Sequence, residues 1–142
     1  MTAVILDTNV IARVVMDDDG AQSAIACNAL ASASLVIVPT YVFCELVWVM
    51  RSIKTDTGEK RYSDSAVATG IRRFTEFDHL VIATDEVAAG LQMLDAGGDF
   101  ADGVIEYTGR NLARNAVTTF LSFDKNAVSI LAKRGLSALL LH

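Results

Sequence analysis

The chain of 142 residues is 52% hydrophobic and 20% charged, and its formal net charge is -5. This length and composition favour one domain with a sizeable core and argue against a wholly disordered chain. The negative charge argues against sequence-blind binding of nucleic acid through a broad basic surface. A nucleic-acid enzyme stays open if its acidic residues converge on metal ions, because bound cations would reverse the local field.

Short apolar runs rich in β-branched residues alternate along the chain with helical patterns. In the first half the predicted elements are a strand at 3–7, helices at 8–16 and 21–34, a strand at 35–38 and a helix at 40–53. In the second half they are a helix at 63–77, a strand at 80–83, helices at 84–97 and 99–116, a strand at 117–123, a helix at 124–135 and a strand at 136–141. The alternation predicts an α/β fold, namely a single-domain three-layer α/β/α sandwich over residues 1–142 with a mainly parallel central sheet.

Two polar stretches interrupt this pattern. The three aspartates at 17–19 predict a solvated turn, and KTDTGEKRYS at 54–63 predicts a loop or a helix–helix connection. The long apolar run at 35–50 contains Pro39 and Glu45, so it predicts strand, break and helix rather than a membrane span.

The cysteine usage and the N-terminus favour a cytoplasmic protein. Cys27 and Cys44 both lie in apolar surroundings and belong to no C-x-x-C pair, so we expect reduced thiols in the core. The opening residues lack a basic start, and Asp7 interrupts their apolar run, which does not fit a secretory signal.

Four acids occupy positions that suit a site at one end of a parallel sheet. Asp7 and Asp124 each follow a predicted strand, and ligands bind beyond the carboxyl ends of such strands. Asp102 lies at the start of a predicted helix, where the helix dipole favours negative charge. Glu45 is the one charged residue in YVFCELVWVM, so either something compensates its carboxylate in this apolar setting or the segment exposes it to water.

Divalent cations would supply that compensation. Carboxylate oxygens suit Mg²⁺ or Mn²⁺, which usually also keep water and bind substrate phosphate. Two such ions about 3.5–4 Å apart would activate a water and stabilise the leaving oxygen in phosphodiester hydrolysis.

Each acid also has a purely structural interpretation. Asp7 and Asp124 could cap the helices that follow them, and Asp102 could complement a helix dipole behind an N-cap at Asp99. Glu45 could pair with a distant arginine. Four separate structural roles are less economical than one shared site.

Four motifs occur in order: ILDTNVIARVV, CELVWVMR, GGDFADGVI and TTFLSFD. Together they resemble the signatures of PIN-domain ribonucleases, and most of all those of VapC-type toxins of type II toxin–antitoxin pairs. The resemblance covers nearly the whole chain. It implies an endoribonuclease that hydrolyses RNA with Mg²⁺, for which Mn²⁺ can substitute. It also implies a VapB-like antitoxin as partner, a homodimer and no membrane association.

The resemblance also implies roles for individual residues. The metal-binding and catalytic acids would be Asp7, Glu45, Asp102 and Asp124. Asn9 and Ser122 would orient ligands or water, and Asp99 would be a fifth acid near the site or simply a cap.

Besides a DNA nuclease or a housekeeping RNA-processing enzyme with the same acids, two functions of other classes remain open from the sequence. One is a PIN-fold binding module without catalytic activity, which need not bind Mn²⁺. The other is a receiver domain that uses an aspartate as phosphate acceptor. A receiver usually has two adjacent acids after its first strand, whereas Thr8 and Asn9 follow Asp7.

Overall fold

The computed structural model describes residues 2–16 and 20–142. Over these residues the chain forms seven helices and five strands. Its contacts divide it into two compact units, one that ends at Ala83 and one that spans Thr84–His142. The turn predicted at Asp17, Asp18 and Asp19 lies outside the described residues.

The N-terminal unit is built on a parallel sheet of three strands in the order β1–β2–β3. Val4 pairs with Val36 between β1 and β2, and Ile37 pairs with Val81 between β2 and β3. The elements of this unit are β1 (Ala3–Ile5), α1 (Thr8–Met16), α2 (Gly20–Ser32), β2 (Leu35–Ile37), α3 (Thr40–Ser52), α4 (Asp64–Phe74) and β3 (Leu80–Val81).

The core of the N-terminal unit forms where α1, α3 and α4 meet. Each helix repeats apolar residues at helical spacing, so one face of it can be buried. Ile11, Phe43 and Ile71 are fully buried, one from each helix. The rings of Phe43 and Phe74 pack edge to face, with centroids 6.2 Å apart.

The C-terminal unit pairs two parallel strands with three helices. Phe120 pairs with Ala138 and Ser122 with Leu140. Met93, Ala127 and Leu131 form a buried cluster that packs against these strands. The elements are α5 (Thr84–Asp95), α6 (Phe100–Leu112), β4 (Phe120–Ser122), α7 (Lys125–Lys133) and β5 (Ala138–Leu140).

The predicted α/β class with parallel strands is confirmed, and the hydrogen-bonded strands form a group of three and a group of two. The helix predicted to reach residue 116 ends at Leu112, and Arg114 adopts a left-handed φ of 57°. The stretch predicted as a loop at 54–63 contains an antiparallel bridge between Lys54 and Lys60. In the part of the chain that the structure describes, no helix is long and apolar enough to cross a membrane.

The cysteines differ from expectation in one respect. Cys27 is exposed on α2, so its predicted burial is wrong, while Cys44 is half-buried on α3. They are not joined by a disulfide.

Candidate functional site

Asp7 lies just beyond the carboxyl end of β1 and begins α1. Its Oδ1 accepts hydrogen bonds from the backbone N–H groups of Asn9, at 2.8 Å, and Val10, at 3.4 Å. The Asp7 carbonyl accepts the N–H of Ile11 at 3.3 Å. Asp7 is therefore a helix cap, and its side chain is also exposed to solvent. Since the cap uses Oδ1, the second carboxylate oxygen remains suited to a cation.

Glu45 lies in the second turn of α3, on the face opposite the core. The residues one turn to either side of it, Tyr41 and Trp48, are 72% and 69% exposed, and Glu45 is exposed with them. Of the two alternatives that the sequence left open, compensation of a buried carboxylate or exposure of the segment, the structure shows exposure. Among the described residues Glu45 forms no ion pair, so the arginine alternative finds no support there.

The sheet brings the elements that carry Asp7 and Glu45 to one edge. Continuing the register of β1 and β2 by two residues places Asp7 opposite Pro39. Pro39 occupies the N-cap position of α3, without a side-chain cap bond. Neighbouring strands lie about 4.8 Å apart, so α1 and α3 both start at the carboxyl edge of this sheet.

In the C-terminal unit, two carboxylates act on a third, that of Asp102. Asp102 is half-buried in the first turn of α6. Burial, followed by the negative charges of Asp99 and Asp124, raises the pKa of the Asp102 carboxyl above its usual value of 3.8. Asp99 occupies the N-cap position of α6 but makes no side-chain cap bond. The neighbouring negative charges would favour a cation beside Asp102.

Asp124 is held at the end of β4 by a compact set of hydrogen bonds. Its Oδ1 accepts the N–H groups of Asn126, at 2.9 Å, and Ala127, at 3.2 Å, and so caps α7. The Ser122 hydroxyl accepts the N–H of Asp124 at 2.9 Å. Ser122 therefore fixes the turn that presents Asp124, which gives this predicted supporting residue a defined structural role.

Two residues that help to position these acids were missed in the sequence analysis. The Asn126 side-chain amide donates to the Gly97 carbonyl at 3.0 Å, which ties the start of α7 to the loop before α6. Gly103 follows Asp102 where α6 lies directly against α5, and a Cβ there would collide with the Ala89 carbonyl oxygen. A sequence signal existed for Gly103, because a glycine inside a helix usually has a packing reason.

A family model described as the PIN domain matches residues 4–132 of the chain. The chain belongs to the PIN domain family. PIN domains are usually metal-dependent nucleases. Searches of the curated proteins and of the solved structures each found no match.

The carboxylates of this PIN domain suit a hard divalent cation by their chemistry. Asp102 carries the clearest sign, because its charged form is disfavoured by its surroundings and a cation would favour it. Within residues 2–16 and 20–142, however, no group of three or more His, Cys, Asp or Glu side chains is arranged to hold a metal ion. Carboxylates are therefore suitable ligands for the metal, but those of the described residues are not arranged as a complete set of ligands.

Glu106, one turn beyond Asp102 in this PIN domain, serves a different purpose. Both oxygens of its carboxylate share the single N–H of Arg110 Nε, at 2.9 and 3.2 Å. The Glu106 side chain is only 8% exposed, so this i,i+4 pair places a positive charge beside a nearly buried carboxylate.

Proposed function

We propose that this PIN domain is a Mg²⁺-dependent endoribonuclease, with Mn²⁺ as a substitute, and that it acts as the VapC-like toxin of a type II toxin–antitoxin pair. The observation that carries the proposal is the group formed by Asp99, Asp102 and Asp124. Burial and the two neighbouring carboxylates raise the pKa of Asp102, and a bound cation would lower it again. Family membership and the four ordered motifs support the same activity.

The proposal assigns metal binding to Asp7 and Glu45 of the N-terminal unit and to Asp102 and Asp124 of the C-terminal unit. Two of these, Asp7 and Asp124, have one oxygen fixed by backbone N–H groups, which orients the other. A bound divalent ion supplies a more acidic water and neutralises charge on the scissile phosphate.

The remaining residues act by positioning or by holding a proton. The Ser122 hydroxyl accepts the backbone N–H of Asp124 and so keeps Asp124 in place. Asp99 adds negative charge beside Asp102, and the raised pKa of Asp102 suits it to accept a proton when the site is not fully neutralised. Asn9 lies exposed in the first turn of α1 and is assigned to orient substrate or water.

The biological setting forms part of the proposal. As a VapC-like toxin the chain would act in the cytoplasm as one domain over residues 1–142, dimerise, and be inhibited by a VapB-like antitoxin. These assignments rest on the resemblance of the motifs to that group of ribonucleases. Co-expression with the protein encoded by a short neighbouring gene tests them, because an antitoxin must restore growth and copurify with the chain.

The decisive experiment is cleavage of single-stranded RNA by the purified protein, with and without Mg²⁺ or Mn²⁺. Asp7→Asn should abolish cleavage yet keep the fold, because asparagine caps a helix about as well as aspartate does. Asp78→Asn is the matched control, since Asp78 is exposed in the same unit and lies outside the proposed site.

Three outcomes would count against the proposal. Cleavage by Asp7→Asn at the wild-type rate would remove Asp7 from the site. Absence of both cleavage and Mn²⁺ binding would favour a binding module without catalysis. Addition of a phosphoryl group from a small phosphodonor, seen by intact mass, would favour a receiver domain.

A further inference from the structure

The connection between α3 and α4 folds into a short hairpin over residues 53–61. Thr55 N–H donates to the Glu59 carbonyl at 2.8 Å, and Arg61 N–H donates to the Ile53 carbonyl at 3.0 Å. Gly58 closes the turn with a φ of 83°, which glycine adopts without strain. The segment is therefore an ordered element of the N-terminal unit.

These two hydrogen bonds lie on either side of the bridge between Lys54 and Lys60. The two lysines thus form a non-hydrogen-bonded cross-strand pair, in which Cα atoms lie about 4.5 Å apart and side chains are closest. Their side chains leave the same face of the hairpin. Like charges directly opposite each other are destabilising in such a pair.

Nothing described in the structure offsets this repulsion. Both lysines are exposed, and among the described residues neither forms an ion pair. Glu59 is adjacent to Lys60 along the strand, so its side chain leaves the opposite face of the hairpin. The hairpin also carries Asp56 and Glu59, so what points to an anionic ligand is the pair of facing lysines itself, neither of which forms an ion pair among the described residues.

The position of the hairpin in the fold indicates which anion the two lysines bind. The hairpin directly continues α3, and the eight residues from Glu45 to Ser52 span only about 10 Å along the helix. We infer that Lys54 and Lys60 bind backbone phosphates of the RNA strand, a few nucleotides from the bond that the protein cuts. This inference rests on the proposed ribonuclease function and names its substrate contact.

The test measures binding of fluorescently labelled single-stranded RNA by anisotropy at increasing KCl concentration. It uses the Asp7→Asn variant without divalent ions, so that the RNA stays intact. Each lost phosphate contact lowers the slope of log K against log salt by about 0.7 for a single strand, so Lys54→Gln/Lys60→Gln should lower it by about 1.4. Between about 50 and about 200 mM salt, the parent should then lose affinity about sevenfold more than this variant.

Matched variants separate the lysine pair from net charge. Arg73→Gln/Lys133→Gln removes two other exposed charges and should leave the slope unchanged. Lys54→Arg/Lys60→Arg should keep the parental slope. Lys60→Glu places an opposite charge beside Lys54, so it should weaken RNA binding while the melting temperature stays equal or rises.

The two proposals fail in different ways. An unchanged slope for Lys54→Gln/Lys60→Gln, or no RNA binding by the parent, overturns the inference. A melting temperature that falls sharply in Lys60→Glu also overturns it, because the pair would then be a structural element. If the slope changes as expected but the wild-type protein cleaves no RNA with Mg²⁺ or Mn²⁺, the ribonuclease proposal fails and the binding site stands.

Discussion

Replacing Gly103 with alanine should destabilise the C-terminal unit and displace Asp102. An ideal Cβ at this position would collide with the Ala89 carbonyl oxygen and lie 2.8 Å from Met93 Cβ. The first of these atoms belongs to the backbone of α5, so one helix must move away from the other. Asp102 precedes Gly103 in α6 and would move with it.

Gly109, a second glycine in α6, is the reference against which the change in stability can be measured. A Cβ at Gly109 would meet nothing within 4 Å, so Gly109→Ala should add only the helix propensity of alanine, about 1 kcal/mol. Gly103→Ala gains the same propensity but also overpacks the contact between α5 and α6, which costs about 1–3 kcal/mol. The two variants should therefore differ by about 1–3 kcal/mol, or roughly 2–12 °C in melting temperature.

The assay is thermal unfolding followed by circular dichroism, together with RNA cleavage by both variants. Gly109→Ala should melt at or above the wild-type temperature and cleave normally. Gly103→Ala should melt below Gly109→Ala and cleave more slowly. Equal melting temperatures for the two variants would show that the close approach of α5 and α6 at Gly103 is not present in solution.

Two further predictions concern the acidic cluster and its support. The pKa of Asp102 is raised above its usual value of 3.8 in the native protein without divalent ions. Between these two values the native state therefore binds more protons than the unfolded state. Its free energy of unfolding falls as the pH rises through that window. Asp102→Asn should remove this part of the pH dependence and stabilise the metal-free protein at neutral pH. Urea unfolding of the wild type and of Asp102→Asn across the pH range measures this, and coinciding stability profiles of the two proteins would contradict the prediction. Asn126→Ala removes the 3.0 Å hydrogen bond to the Gly97 carbonyl and should cost about 0.5–1.5 kcal/mol as well as slow cleavage, whereas the exposed Asn115→Ala should do neither.

The sequence predicted the parts of the structure that depend on local patterns. A strand forms from the β-branched run before Asp7, and another from the apolar run before Asp124. Both aspartates cap the helices that follow them. Capping is a local interaction between a side chain and the next few N–H groups, so it can be read from neighbouring residues.

The environment of Glu45 could not be read in the same way. All its helical neighbours are apolar, yet α3 buries Val42, Phe43 and Leu46 and leaves Tyr41 and Trp48 exposed. The choice of face depends on which helices pack against α3, and that is a property of the tertiary fold. A glycine inside a helix indicates a packing contact at Gly103, but its partner in α5 is distant in sequence. The same holds for the bond from Asn126 to Gly97, so no local pattern specified either partner.

The central claim is that Asp7, Glu45, Asp102 and Asp124 bind divalent cations, and Mn²⁺ titration followed by electron paramagnetic resonance tests it most directly. Mn²⁺ should bind the wild-type protein and Asp78→Asn equally. Asp7→Asn in the N-terminal unit and Asp102→Asn in the C-terminal unit should each weaken binding about tenfold or more, by comparison with the effects of removing supporting groups in metal sites. Equal Mn²⁺ affinity in all four proteins, or no specific binding by the wild type, would contradict the claim.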